Sequence, residues 1–157
     1  MSENQRPSPT AMIGRGVLAG LAGTVVMTAF QKFVEMPLTG REDSYAPAEF
    51  AEKVTPLRTT TPEGRRQLNY AVHLALGAMW GTAYGVAAAR GLRGQKAANV
   101  VFATVYTSDV LLNTALGLYQ PRQWTPQDWG IDIVDKYLQA QATGAVFDRL
   151  LDPAPPA

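Results

Sequence analysis

Long apolar stretches alternate with polar segments along this chain. The clearest stretch covers residues 67–89, which contain no Asp, Glu, Lys or Arg and end at Arg90. A helix rises 1.5 Å per residue, so such a stretch spans roughly 35 Å, more than the roughly 30 Å of hydrocarbon in a bilayer. Residues 16–31 form a second apolar stretch, bounded by Arg15 and Lys32. Both stretches are typical of membrane-spanning helices.

Two further stretches complete a four-helix pattern. Residues 97–119 are interrupted only by Asp109, whereas the fourth stretch carries several charges and has an uncharged run only from Tyr137 to Phe147. The sequence predicts an all-α, helical-bundle integral membrane protein with one domain, residues 13–152. Its expected parts are spans at about 13–35, 67–90, 97–119 and 129–151, the last doubtful as a lipid-facing helix, a polar loop at 37–66, and disordered tails at 1–12 and 153–157. The first stretch is interpreted as a retained span, without a cleavable signal. The alternative is a soluble helical bundle in which residues 67–89 form a buried central helix.

The polar loop is expected to contain helical structure. Ala46, Phe50 and Val54 recur at four-residue intervals, which indicates a short amphipathic helix on the membrane surface or capping the bundle. Thr61 followed by Pro62 and Glu63 has the composition of a helix start, so the second long helix should begin before its apolar part.

Glycines recur at helical spacing in the first two apolar stretches. Such faces let helix backbones approach closely in lipid, where dispersion rather than the hydrophobic effect drives association. Packing within the chain is favoured over a glycine-face contact with a second copy or another membrane protein. The predicted packing residues are Gly16, Gly20, Gly23, Gly77, Gly81 and Gly85.

Composition removes several functional classes. The 157 residues include no cysteine, one histidine and 17% charged residues, with a formal net charge of +1. The absence of cysteine excludes disulfide scaffolds, iron–sulfur proteins and thiol nucleophiles, and the near-neutral charge argues against nucleic-acid binding. We expect no cofactor and no metal site.

Orientation follows from the short loop at residues 90–96. It carries three basic residues and no acidic one, which favours the cytoplasmic side of a bacterial inner membrane. Both termini are then cytoplasmic. Tyr70, Tyr119, Trp124 and Trp129 gather on the opposite side, as expected for an interfacial aromatic belt.

Ionisable and polar residues of all four spans fall at similar depth in this topology. Charged groups in a membrane are costly and normally face the bundle interior, where they pair or line a water-filled cavity. The candidate polar site consists of Lys32, Glu35, His73, Asp109, Asn113, Asp132, Asp135 and Lys136.

Several members of this set can also pair structurally. Lys32 with Glu35 and Asp132 with Lys136 have the spacing of helical ion pairs. Asp109 lies too deep to reach the interface, so it should have a partner, for which His73 or Lys32 is the natural choice. Asp109 is the strongest single candidate for a functional residue.

No catalytic motif accompanies this set. Ser108 beside Asp109 is not flanked by the glycines of a nucleophile elbow. Asp128, Asp132 and Asp135 share a helical face and could bind a hard cation, but without a recognisable motif. The sequence therefore gives no catalytic residue and leans against an enzyme.

A family resemblance is carried by the first two spans. Gly16-Val17-Leu18-Ala19-Gly20, followed by Glu35-Met36-Pro37-Leu38 and Arg41, resembles the opening of the YagU-type inner-membrane proteins. His73 with Tyr84 eleven residues later is similar to that family's next span. The resemblance implies a small multi-span bacterial membrane protein and draws attention to Glu35, Arg41 and His73.

The functional expectation is a small accessory or structural membrane protein in contact with the lipid bilayer. One alternative is proton- or ion-coupled transport through a site around Asp109 and His73. Others are a membrane-embedded enzyme or cation-binding protein that uses the carboxylates, and a soluble helical bundle.

Overall fold

The computed structural model describes residues 7–153, and within this range the chain is helical and contains no strand. The helices are α1 (Pro9–Thr39), α2 (Ala46–Val54), α3 (Pro62–Ala89), α4 (Gly94–Ala115) and α5 (Pro126–Val146). A π-helical turn, Phe147–Leu151, continues α5, and a short 3₁₀ turn, Pro121–Gln123, precedes it. The predicted all-α class is confirmed.

The ends of α1 differ from the sequence prediction. Residues 9–12, expected in a disordered tail, form the first turn of the helix because the Ser8 side chain caps it by accepting a hydrogen bond from the Ala11 amide at 3.2 Å. The rest of that prediction, residues 1–6, and residues 154–157 of the predicted C-terminal tail lie outside the described range. At its other end α1 runs to Thr39 and stops at Gly40, whose φ of 70° a side chain would disfavour.

Threonine side chains cap the starts of α3 and α5. Thr61 accepts a hydrogen bond from the Gly64 amide at 3.1 Å, and Pro62 opens α3, which confirms the predicted early start. Thr125 and Asp128 form a reciprocal capping box at the start of α5.

The predicted helix is confirmed as α2, which packs on α3, but its buried residues are not the predicted apolar positions, of which Val54 is 49% exposed. Ala48 and Ala51 are buried in this contact, and the Ala48 amide donates to Asn69 Oδ1 at 3.1 Å. An ion pair of 3.0 Å between Arg65 and Glu49 holds the two helices together at the surface. The helix therefore covers the bundle.

The four long helices form a ring in which α1 contacts α3 and α5, and α4 contacts the same two helices. Glycines allow the closest approach, between α1 and α3. A Cβ atom added to Gly81 would lie 1.9 Å from the Gly16 carbonyl oxygen, and one added to Gly20 would lie 2.2 Å from that of Gly77. All six predicted packing glycines lie at helix contacts within the chain, with Gly23 against α5 rather than α3.

Small side chains fill the core, and large apolar side chains face outward. Eight of the fourteen buried apolar residues in the described range are alanine, and none is leucine or isoleucine. By contrast, Phe33 is 81% exposed, Leu38 80% and Leu150 73%. Among the described helices, α1 alone has the length and hydropathy of a membrane span, with a mean hydropathy of 1.5 over 18 residues.

Candidate functional site

A cavity of about 720 Å³ lies in the half of the bundle remote from the 90–96 loop. Residues of all four long helices, of α2 and of the connecting segments line it. The structure brings all eight residues of the predicted polar set to this one cavity: Lys32, Glu35, His73, Asp109, Asn113, Asp132, Asp135 and Lys136.

The α1 wall of the cavity is formed by a π-helical turn, Gln31–Glu35. Gln31 Nε2 donates to Asp135 Oδ2 at 2.6 Å, and Lys32 pairs with Asp43 of the loop. Glu35 accepts a hydrogen bond from Thr39 Oγ1 at 2.8 Å. The predicted pairing of Lys32 with Glu35 is therefore wrong, because the wider π turn changes the angular spacing of these side chains.

Asp109 on α4 is paired with Lys136 on α5, Oδ2 to Nζ at 3.3 Å. Lys136 also reaches Asp132 at 3.0 Å, so this predicted pair is confirmed, and Asn113 Nδ2 donates to Asp109 Oδ1 at 3.0 Å. The expected partners of Asp109, His73 and Lys32, are wrong. His73 on α3 contacts Thr28 of α1, and Lys32 on α1 pairs with Asp43, whereas Lys136 reaches Asp109 across the contact between α4 and α5.

His73 joins α3 to α1. Its Nε2 atom lies 3.1 Å from Thr28 Oγ1, and its ring also lines the cavity. This contact between α1 and α3 lies just beyond the last close glycine contact of the two helices, in which Gly77 meets Thr24. His73 therefore bridges the two helices at the point where close backbone packing ends.

Asp135 is the more buried of the two buried cavity carboxylates, the other being Glu35, that form no ion pair among the described residues. Its residue exposure is 6%, and Gln31 satisfies Oδ2, but Oδ1 has no hydrogen-bond partner among the described residues. A buried carboxylate oxygen without a partner is costly to maintain. Sequence spacing placed Asp135 in the polar set but gave no reason to rank it above Asp109.

The three carboxylates on one face of α5 have separate partners. Asp128 belongs to the capping box, where hydrogen bonds from the Thr125 side chain and backbone hold the pKa of its carboxyl below the usual range. Asp132 pairs with Lys136 and Asp135 with Gln31. Within residues 7–153 no group of three or more His, Cys, Asp or Glu side chains is arranged to hold a metal ion.

Aromatic side chains line the cavity, a role that the sequence did not predict. Three of them, Tyr70, Tyr119 and Trp124, were expected in an interfacial belt. The aromatic lining consists of Tyr45, Phe50, Tyr70, Trp80, Tyr119 and Trp124. The amphipathic pattern of α2 and the cluster of aromatic residues after α4 were the available signals.

A second polar network at the opposite end of the bundle was also missed. Tyr84 donates to Asp148, which accepts from the Gly94 amide at 2.9 Å and pairs with Arg93 at 3.2 Å. Arg93 and Arg15 both pair with Asp152. The sequence did contain a signal for this network, because Asp148 and Asp152 are four residues apart and basic residues lie at the ends of two predicted spans. This spacing did not enter the prediction.

These features define the class of the molecule: an all-helical bundle, closed at one end by small residues and an ion-pair network, with a charged cavity at the other. No family model, curated protein or solved structure matches the chain. The resemblance to the YagU-type proteins stays a prediction.

Proposed function

We propose that the chain is a four-helix membrane protein whose cavity binds a small solute. The observation that carries the membrane part is the reversed distribution of side-chain size, with alanine and glycine inside and large aliphatic side chains outside. Soluble monomers rarely expose extensive apolar surface, whereas small residues at helix contacts are characteristic of membrane bundles.

The mean hydropathy of α3, α4 and α5 is lower than that of α1. This is consistent with helices that cross a membrane together as a bundle. On α5, Ile133 and Val134 are exposed, whereas Asp135 and Lys136 line the cavity. On α4, Leu111 is 65% exposed while Asp109 faces the cavity. Polar groups that face inward reduce a helix's mean hydropathy without being exposed to lipid.

Alkaline carbonate extraction tests membrane insertion. We expect the protein to stay in the membrane pellet, and its release into the supernatant would contradict the proposal. The chain has no cysteine, so single-cysteine variants can report topology without background labelling. In intact bacterial cells that lack an outer-membrane barrier, a membrane-impermeant maleimide should label Thr60→Cys but not Gln95→Cys, because both termini and the 90–96 loop are proposed to be cytoplasmic.

The cavity supports solute binding better than a purely structural role. A structural bundle gains little from a large charged void, because each buried ionisable group carries a desolvation cost. Here seven carboxylates and four cationic side chains line one space within the size range of ligand pockets. Charge and volume are thus concentrated in one place.

Proton- or ion-coupled transport is the second candidate, and a polar line along α5 favours it. Gln139 and Thr143 continue from Asp135 at four-residue spacing and are buried against α1. Gln139 Nε2 donates to Thr24 Oγ1 at 2.9 Å, while Thr143 Oγ1 has no partner among the described residues. The line leads from the cavity toward Asp148 in the opposite network.

Proteoliposomes with an imposed pH gradient test this candidate. Proton flux should be lost in Asp135→Asn and reduced in Asp109→Asn, while the control Glu52→Gln, at a carboxylate outside the cavity lining, keeps the parent rate. Equal flux in parent protein, all three variants and empty liposomes would reject transport and leave solute binding as the proposed activity.

A further inference from the structure

We infer that the cavity takes an organic cation, that is, a protonated amine or quaternary ammonium group on an apolar body. The inference rests on the proposed function and names its solute class. Negative charge dominates the lining, since seven carboxylates face four Lys and Arg side chains. A cavity with this balance concentrates cations and repels anions.

The cationic side chains of the lining are already engaged. Lys136 holds Asp109 and Asp132, Lys32 holds Asp43, Arg41 lies 4.0 Å from Asp128, and Arg66 pairs with Glu63 outside the lining. No Lys or Arg in the described range forms an ion pair with the remaining lining carboxylates, which are Glu35, Glu42 and Asp135. The excess negative charge is therefore left for a solute.

Asp135 supplies the buried negative charge on the α5 side of the cavity. Its residue exposure is 6%, and its Oδ1 atom is itself buried and has no hydrogen-bond partner among the described residues. A buried acceptor in this state is stabilised by a donor or a positive charge brought by a ligand. Glu35, also buried, lies on the facing wall formed by α1.

The aromatic lining distinguishes an organic cation from a metal ion. Aromatic faces attract ammonium groups and also contact the apolar parts of the same molecule. A bare Ca²⁺ or Mg²⁺ would need several converging oxygen ligands, and the described residues hold no such cluster. The volume of about 720 Å³ is also far larger than an ion requires.

Charge-selective thiol modification tests the inference on the purified, detergent-solubilised full chain. Ser108→Cys places one thiol in the cavity lining, and Gln95→Cys places one on the exposed surface at the opposite end. Each variant is treated with a trimethylammonium and with a sulfonate methanethiosulfonate, which carry opposite charges. At each position the rate of modification by the cationic reagent is divided by the rate with the anionic reagent. The ratio at residue 108 divided by the ratio at residue 95, called the normalised ratio, should be about tenfold or more.

Asp135→Asn combined with Ser108→Cys should lower this normalised ratio severalfold. Glu52→Gln with Ser108→Cys should leave it unchanged, because Glu52 lies outside the cavity lining and accepts a hydrogen bond from Thr59. Tetraphenylphosphonium should slow modification at residue 108, whereas tetraphenylborate, with the same shape and opposite charge, should not. Equal normalised rates for the two reagents, or a ratio insensitive to Asp135→Asn, would overturn the cation inference but keep an accessible cavity. Failure of both reagents to react at residue 108 while residue 95 reacts would reject the solute-binding cavity itself.

Discussion

The two ends of this bundle use the same four helices in opposite ways. Toward the 90–96 loop, α1 and α3 meet through glycine, and buried Tyr84 and Phe147 fill the remaining space with ring centroids 5.2 Å apart. At the other end, beyond Thr24 and Gly77, the facing positions carry larger polar side chains such as His73 and Gln31, and a cavity opens.

The difference shows that side-chain size along α1 and α3 determines where the bundle is closed. Glycine lets backbone contact backbone and leaves no room for solvent. Where glycine stops, charged and aromatic groups keep the helices apart and must be satisfied by partners or by a ligand. One end is therefore expected to be sensitive to added volume and the other to removed charge.

The largest effect should come from adding volume at the closed end. Gly81→Leu places its Cβ 1.9 Å from the Gly16 carbonyl oxygen and 2.7 Å from the backbone of Gly20, where no flexible side chain can yield. We expect the solubilised protein to elute as aggregate in size-exclusion chromatography. Gly130→Leu is the matched control, since nothing lies within 4 Å of its Cβ. A monodisperse, cooperatively unfolding Gly81→Leu protein would contradict backbone contact between α1 and α3.

Removing the central cation should have the largest effect at the cavity end. Lys136→Met leaves Asp109 and Asp132 without their shared cation, and should lower the free energy of unfolding by about 3 kcal/mol. Adding Asp109→Asn should restore part of this loss, because it removes one of the two uncompensated carboxylates. Chemical denaturation of Lys136→Met, Asp109→Asn and the double variant measures the coupling, and strictly additive effects would show that Asp109 and Lys136 do not interact.

A smaller effect is expected from one hydroxyl in the closed end. Tyr84→Phe removes the donor to Asp148 but keeps the ring, and should cost about 1.5 kcal/mol of unfolding free energy. Tyr137→Phe removes an exposed hydroxyl and should change stability by only a few tenths of a kcal/mol. Equal unfolding midpoints for these two variants would mean that the hydrogen bond from Tyr84 to Asp148 does not stabilise the fold, so that packing alone stabilises the closed end.

The smallest effect concerns the capping box at the cavity mouth and depends on pH. The pKa of Asp128 is lower when folded than when unfolded, so its ionised form stabilises the fold above the unfolded pKa, and this contribution disappears as pH falls through the folded value. Asp128→Asn should therefore melt slightly below the parent at pH 7, and the difference should shrink as the pH is lowered through the acidic range. A difference that persists unchanged at the lower pH would assign the effect to another interaction.

Sequence periodicity predicted the helices well because their signals are local. The cap at Thr61, the apolar positions of α2 and the glycine spacing each depend on residues within a few turns. The sequence also predicted which polar residues lie together at the cavity. Their depth in the bundle follows from counting residues along each span, and the eight residues have similar depths.

Partner choice could not be predicted in the same way. α4 neighbours both α3 and α5, yet Asp109 pairs with Lys136 of α5 while His73 of α3 faces Thr28, and the direction in which each helix turns its side chains is not encoded in any one segment. Lys32 pairs with Asp43 rather than Glu35 because α1 changes to π geometry. The ranking of Asp109 above Asp135 stays a prediction, but the structure gives Asp109 a cation, Lys136, whereas the partner of Asp135 is the neutral Gln31.

The π turn of α1 also sets the angular register between the two halves of that helix. Each residue of an α-helix advances the chain by about 100°, and a π turn accommodates one residue more than an α turn does. Deleting a single residue from Gln31–Glu35 would therefore convert the turn to a regular α-helix and leave Met36–Thr39 in nearly the same orientation relative to Gly16 and Gly20. The same deletion in the regular part of α1 would rotate everything beyond it by about 100°. The π turn is thus a place where α1 can change its length while one wall of the cavity and the glycine face keep their relative orientation.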